Sequence, residues 1–245
     1  MKCRSLINSC YVFSFVALCV AYPARATLVP HISDGKQVVY SSDQNLTLTK
    51  DANLYKTLLD SYDGAYPTLA DEIIDRIGSI GGVALIPDDF EESIGVMRWY
   101  CAMAFVEWLN LENYAGSSNW RLWDADPTCG GRPADPDDHD CPAGELGFIY
   151  YIEGQLLTYD GWLAEPPGIL PDYFDNLREN SIFWARNNDG TFTWAHWTIS
   201  KNGRQIAYSH ERTIPNFFFA WPVQSGELGS PVPEVFKDGF EEVQP

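Results

Sequence analysis

The densest chemistry in this chain lies between residues 124 and 140. Asp124, Asp126, Asp135, Asp137, Asp138 and Asp140 put six carboxylates into one Gly/Pro-rich stretch. Asp135, Asp137, Asp138 and Asp140 have the oxygen-ligand spacing that could hold Ca²⁺, a hard cation that takes several carboxylate oxygens. The string does not follow the EF-hand pattern, so a solvated acidic loop stands beside the metal reading. Cys129 and Cys141 sit twelve apart in the same stretch. In an oxidising export route that pair is expected to form a disulfide across the loop. No other cofactor is indicated.

Nucleophilic and hydrolytic chemistry finds little support. HExxH, GxSxG, P-loop and Cys-x-x-Cys patterns are all missing. The four histidines are His31, His139, His196 and His210. Carboxylate pairs such as Glu91/Glu92 or Asp172/Asp175 could serve a glycosidase, yet an acidic chain supplies such pairs by chance. Cys101 falls among apolar residues with no base nearby, which reads as a buried thiol. Trp184, Trp194 and Trp197 could stack on sugars if exposed, although core packing is the ordinary fate of such rings. The Trp-Asn-Asp signature of calcium-dependent lectins is absent, and Glu165-Pro-Pro167 only hints at their Glu-Pro-Asn.

The elements that must position these groups can be read from periodicity. Gln37–Tyr40 and Asn45–Thr49 are strand-like runs around a Ser-Ser-Asp turn. Pro67-Thr68-Leu-Ala-Asp71 opens a helix, with Leu69, Ile73, Ile77 and Ile80 on one face and Gly81-Gly82 as its stop. A second helix runs from about Met97 to Asn110 and is apolar on most of its circumference, so it belongs in the core. Trp120–Trp123 reads as a short strand, 124–144 as a long loop and Glu145–Ile152 as a short helix. Ser181–Ala185, Thr191–Ile199, Arg204–Ser209 and Asn216–Val223 read as strands joined by Asn-Asp-Gly and Asn-Gly turns. Two early helices, a long loop and a C-terminal antiparallel meander imply an α+β domain. A C-type-lectin-like topology fits that order.

Residues 1–26 read as a secretory signal peptide. Lys2 and Arg4 precede an apolar run from Cys10 to Ala21, and Ala24-Arg25-Ala26 offers small residues for cleavage before Thr27. Twelve apolar residues are too few to span a bilayer, and no second long apolar run follows. Stable membrane insertion is therefore not expected, and a secreted, periplasmic or cell-surface location is. Removal of the signal leaves three cysteines and 13 basic against 34 acidic residues, so the formal charge deepens from −18 to −21. Such a charge repels nucleic acid and anionic surfaces. From Ser225 the pattern fades, and 228–245 reads as a flexible tail ending in Phe236-Lys-Asp-Gly-Phe-Glu241.

Five ordered blocks resemble the Lcl C-terminal domain family, named for the C-terminal domain of a bacterial collagen-like adhesin. They are Asn45-Leu-Thr-Leu-Thr-Lys-Asp-Ala-Asn-Leu54, Met97-Arg-Trp-Tyr-Cys-Ala-Met-Ala-Phe-Val-Glu-Trp-Leu-Asn110, Tyr114-Ala-Gly-Ser-Ser-Asn-Trp-Arg-Leu122, Gly144-Glu-Leu-Gly-Phe-Ile-Tyr150 and Phe219-Ala-Trp-Pro-Val223. Leu48, Trp123, Phe148 and Gln224 depart from the family pattern, and 65–95 looks like an insertion, so the resemblance is to a divergent member. It implies a domain over 27–227 with an extracellular binding or adhesion role towards an unknown ligand, glycan or protein, and no catalysis. A carbohydrate-active hydrolase and a structural envelope protein are the alternatives. The namesake's sulfated-polysaccharide ligand suits a chain of charge −21 poorly. Within the blocks, Trp120 and Arg121 are expected to bridge a strand to a loop, Asp51 and Asn53 to make a turn or cap, and Glu145 to start a helix.

Overall fold

A computed structural model describes residues 28–125, 142–157, 160–163, 168–186, 195–199, 203–209, 214 and 216–232. The expected signal peptide 1–26 lies outside the described residues. So do Asp135, Asp137, Asp138, Asp140, Cys129, Cys141, His139, His210, Trp194 and Glu165–Pro167.

Among the described residues, twelve short strands and four α-helices make a mixed helix–sheet fold, compatible with the α+β class. The strands are β1 Leu28–Ser33, β2 Lys36–Ser41, β3 Leu46–Thr49, β4 Ser79–Ile80, β5 Val83–Ala84 and β6 Phe90–Glu91. They continue as β7 Val96–Met97, β8 Phe183–Trp184, β9 Ala195–Ile199, β10 Gln205–Ser209, β11 Val223–Ser225 and β12 Ser230–Pro231. The helices are α1 Leu54–Asp60, α2 Leu69–Ile77, α3 Trp99–Leu111 and α4 Glu145–Phe148. The main sheet has the order β11-β3-β2-β1-β12, antiparallel throughout. Both its edges come from the C-terminal part of the chain. A second antiparallel sheet has the order β10-β9-β8.

The main sheet is covered on both faces. Because successive side chains alternate, Val38 joins the core under α1, α2 and α3, while Val39, Leu46 and Leu48 join an aromatic core on the other side. All four residues of β3 are buried for this reason. Thr47 and Thr49 point away from the aromatic side and satisfy their hydroxyls on the carbonyls of Gly226 and Asp51.

The aromatic core centres on Trp162, Phe174, Phe183 and Trp221. Trp162 meets Phe183, Trp221 and Tyr150 edge-on at 5.4, 6.2 and 4.9 Å, and Phe174 meets Trp221 at 4.8 Å. Such edge-to-face pairs set the ring's positive rim against a negative face. Five indole N–H groups also reach remote carbonyls: Trp99 to Ala185, Trp120 to Tyr114, Trp162 to Ser181, Trp184 to Met97 and Trp221 to Thr49. Each tryptophan therefore contributes buried area and fixes the distance between two segments. Trp184 is fully buried and is no platform for a sugar.

Several local expectations change in three dimensions. Among the described residues three helices precede α4, because the seven-residue α1 follows directly on Asn53. Helix α2 begins after Thr68, whose hydroxyl accepts the Asp71 N–H at 3.2 Å, but it ends at Gly78. Gly78 takes φ +73°, and its N–H closes on the Ile74 carbonyl at 2.9 Å. Gly81 and Gly82, both at positive φ, instead turn the β4–β5 hairpin. The segment 65–95, read as an insertion, contributes to the core: Leu69, Ala70, Ile73, Ile80, Leu85 and Phe90 are all buried.

The expected four-strand meander is cut to three strands. Residues 216–222 make single bridges instead, Phe218 to Met97 and Phe219 to Phe183, before the chain crosses to β3. Neighbouring residues that bond to different partners cannot extend one ladder, and Pro222 has no N–H to offer. Trp120–Trp123 likewise makes a single bridge, Arg121 to Val223. Ser230–Pro231, inside the expected tail, pairs with β1 at His31 and Ile32, and the Val232 N–H bonds the Pro30 carbonyl at 2.9 Å.

Candidate functional site

The five blocks singled out in the sequence interlock. Asn110, at the end of α3, holds Trp120 by both backbone groups: its Oδ1 accepts the Trp120 N–H at 2.6 Å and its Nδ2 donates to the Trp120 carbonyl at 2.9 Å. This places Arg121 beside β11, where its backbone exchanges two bonds with Val223 at 2.8 and 2.9 Å. Trp221 reaches back to Thr49 in the first block. Within that block Asp51 accepts the Asn53 N–H at 2.8 Å and the Asn176 Nδ2 at 2.9 Å, and it also bonds Thr57. Asp51 and Asn53 thus form the turn expected of them. Asn53 precedes α1, but its side chain caps no helical N–H; its Nδ2 donates to the Ile94 carbonyl at 3.1 Å.

Arg121 and Glu145 join the third block to the fourth. The guanidinium donates from Nη1 to Oε2 at 2.7 Å and from Nη2 to Oε1 at 2.5 Å, the fork geometry that suits a carboxylate. The Asp124 N–H also donates to Glu145 Oε2 at 2.6 Å, and the Glu145 N–H donates to the Asp124 carbonyl at 3.0 Å. Asp124 in turn takes Arg186 in a second fork, Nη2 to Oδ2 at 2.7 Å and Nε to Oδ1. The Arg186 N–H donates to the Trp123 carbonyl at 3.0 Å.

Asp124 and Glu145, which flank the acidic stretch in sequence, are therefore held together by two arginines. Between these residues lie Asp126, Asp135, Asp137, Asp138 and Asp140. Two cations set against two anions make the clamp neutral, so it adds no repulsion to that acidic segment. Both carboxylates are already engaged by arginines, which leaves neither as a ready acid or base. Sequence reasoning reached Arg121 and Glu145 one at a time, as a bridge and a helix start. It missed their partnership and missed Arg186, because nothing in linear order relates residues 121, 145 and 186.

One member of each carboxylate pair considered for hydrolysis is engaged elsewhere. Glu91 accepts from the Ser93 N–H at 3.3 Å and its hydroxyl at 2.5 Å. Asp175 faces Lys50 at 3.2 Å, and both Asp172 and Asp175 are exposed. His31 is buried in β1, where Nδ1 lies 3.0 Å from the Leu228 carbonyl and ties the C-terminal strand to the sheet. Among the described residues, no group of three His, Cys, Asp or Glu side chains is placed to hold a metal ion. Among them too, no helix is long and apolar enough to cross a membrane.

One carboxylate stands apart, and sequence reading gave no hint of it. Glu153 ends a π-helical turn, Ile149–Glu153, that continues α4. It is 2 % exposed, its Oε1 accepts the Ser41 hydroxyl at 2.6 Å, and its Oε2 has no partner among the described residues. Burial, with a smaller push from Asp43, raises its pKa from 4.5 to about 7, against the pull of the Ser41 bond.

No family model, curated protein or solved structure matches the chain.

Proposed function

We propose that this chain is an exported, non-catalytic binding module, a divergent relative of the Lcl C-terminal domain with a C-type-lectin-like topology. It engages an extracellular ligand, glycan or protein, with the acidic stretch 126–141 as the candidate contact. The observation that supports this reading most is the clamp of Arg121, Glu145, Asp124 and Arg186. It anchors the two flanks of that segment to the core and spends its charges on structure, as a rigid support for a binding segment does. Two further observations support the topology and the kinship. The first and last strands among the described residues, β1 and β12, pair in one sheet. The five family-like blocks also meet in one network around Trp120, Arg121, Glu145 and Trp221.

Binding of the purified mature chain to a glycan array and to a panel of extracellular-matrix proteins tests the proposal. Saturable binding that is weakened by Asp→Asn changes at 135, 137, 138 and 140 supports it. Flat binding to every ligand counts against it. Calorimetric titration with Ca²⁺ tests whether those aspartates take a cation. A stoichiometric heat with a raised Tm supports the site, and no heat with no shift in Tm ends that idea. The hydrolase alternative stands only if a chromogenic sugar panel is cleaved and one carboxylate substitution abolishes the cleavage.

A further inference from the structure

We propose that Glu153 is a proton-operated latch that fastens the π turn behind α4 to the β2–β3 turn, and so sets how firmly the Glu145 end of the clamp is held. The contact between these segments is narrow and specific. Ser41, fully buried at the end of β2, donates to Glu153 Oε1 at 2.6 Å. The Gln44 N–H leans on the Ser41 oxygen at 3.4 Å, and Gln44 Nε2 donates to the Glu145 carbonyl at 3.0 Å. The β2–β3 turn thus grips the segment at both ends, at Glu145 and at Glu153. At the following residue the fit is tight, since a Cβ on Gly154 would stand 2.8 Å from Leu170 and from the Tyr150 carbonyl.

The second oxygen of Glu153 makes the latch sensitive to protons. A neutral carboxyl leaves one oxygen without a partner, a modest cost. An ionised one places a charge in a buried site, where no group among the described residues compensates Oε2. Asp43, exposed on the same turn, adds a like charge. Neighbours on the segment's own side are committed elsewhere. Tyr150 donates to the Leu157 and Asp160 carbonyls, Tyr151 to the Gly203 carbonyl, and Glu145 is held by Arg121. Ionisation therefore favours outward rotation of the side chain into water, because the cost of the buried charge and the repulsion from Asp43 outweigh the Ser41 bond, which alone holds the ionised form in place. The π turn is also a rare departure from regular helix geometry, of a kind that is frequent at functional sites. The carboxyl's raised pKa puts this transition near neutrality.

Hydrogen exchange of peptides spanning 145–157, expressed as protection factors at pH 5.5 and pH 8, tests the latch without any ligand. The wild-type chain should lose protection there at least tenfold at the higher pH, and Glu153→Gln should not. Asp43→Asn removes the like charge and should lower the midpoint of the transition. Ser41→Ala removes the bond that favours the ionised form and should raise it. A purely structural Glu153 would not move the midpoint in opposite directions. Retention of the wild-type transition in Glu153→Gln overturns the proposal. So does an unchanged midpoint in Asp43→Asn, a surface change that keeps the test open if Glu153→Gln does not fold.

Discussion

Removing Arg121 should cost the fold far more than a surface ion pair would. Its side chain is only 14 % exposed and that of Glu145 20 %, and the two are joined by two short charge-assisted bonds. Exposed pairs contribute about 0–1 kcal/mol, whereas breaking a buried pair costs about 3–5 kcal/mol because one charge is stranded. The clamp lies between these limits, so Arg121→Ala should cost about 2–3 kcal/mol. It leaves Glu145 with the Asp124 N–H and the negative Asp124 side chain for neighbours. At about 2–4 °C per kcal/mol for a chain of this size, Tm should fall by about 5–10 °C. Arg121→Ala also loses a 3.2 Å bond to Ser225 and contacts to backbone, so one variant does not isolate the pair. A double-mutant cycle with Glu145→Ala, read by urea unfolding, does. A coupling of about 1.5 kcal/mol or more is expected. Single costs that add to within about 0.5 kcal/mol would refute the clamp as a cooperative unit.

Other consequences can be checked alongside. The raised pKa of Glu153 means that the folded chain keeps a proton the unfolded chain has lost. Its stabilising share is complete below about pH 4.5 and is lost as pH rises to about 7, a decline of about 3 kcal/mol. Subtracting the stability profile of Glu153→Gln from that of the wild type should expose this decline; parallel profiles would contradict it. Trp221→Ala should cost about 3–5 kcal/mol by cavity formation, with a further loss from the orphaned Thr49 carbonyl, measured by chemical denaturation. Gly229 has φ +77°, and a Cβ there would stand 2.4 Å from the Ile32 carbonyl oxygen. Gly229→Ala should therefore detach β12 from β1 and raise amide exchange at Val232, while the aromatic core keeps its protection.

The origin of each success and failure is local against remote information. The β2–β3 hairpin, α2, α3 and the β8-β9-β10 sheet depend on side-chain period and on caps a few residues away, such as Thr68 for Asp71. These were legible in linear order. The apolar girdle of α3 likewise announced a central helix, and nine of its residues are buried. Where two signals competed, the chain alone did not arbitrate: Gly78 and Gly81-Gly82 are both helix stops by type. Only packing assigned the first to α2 and the second to a hairpin. A seven-residue helix such as α1 is below the length at which periodicity speaks, so tertiary contacts decide it.

By itself, the sequence determined the charge, the acidic stretch between Asp124 and Asp140, the helical core element α3 and a tryptophan count large enough to anchor a fold. Tertiary structure alone decided which groups meet. Arg121, Glu145 and Arg186 converge although 65 positions separate the first from the last. Ser230–Pro231 closes the sheet against β1 from the far end of the chain. Glu153 looks like any surface glutamate in linear order. It becomes a proton-sensitive group only because folding removes its water and supplies a hydroxyl to one oxygen and nothing to the other. Desolvation is a property of the assembled surroundings, not of the residue.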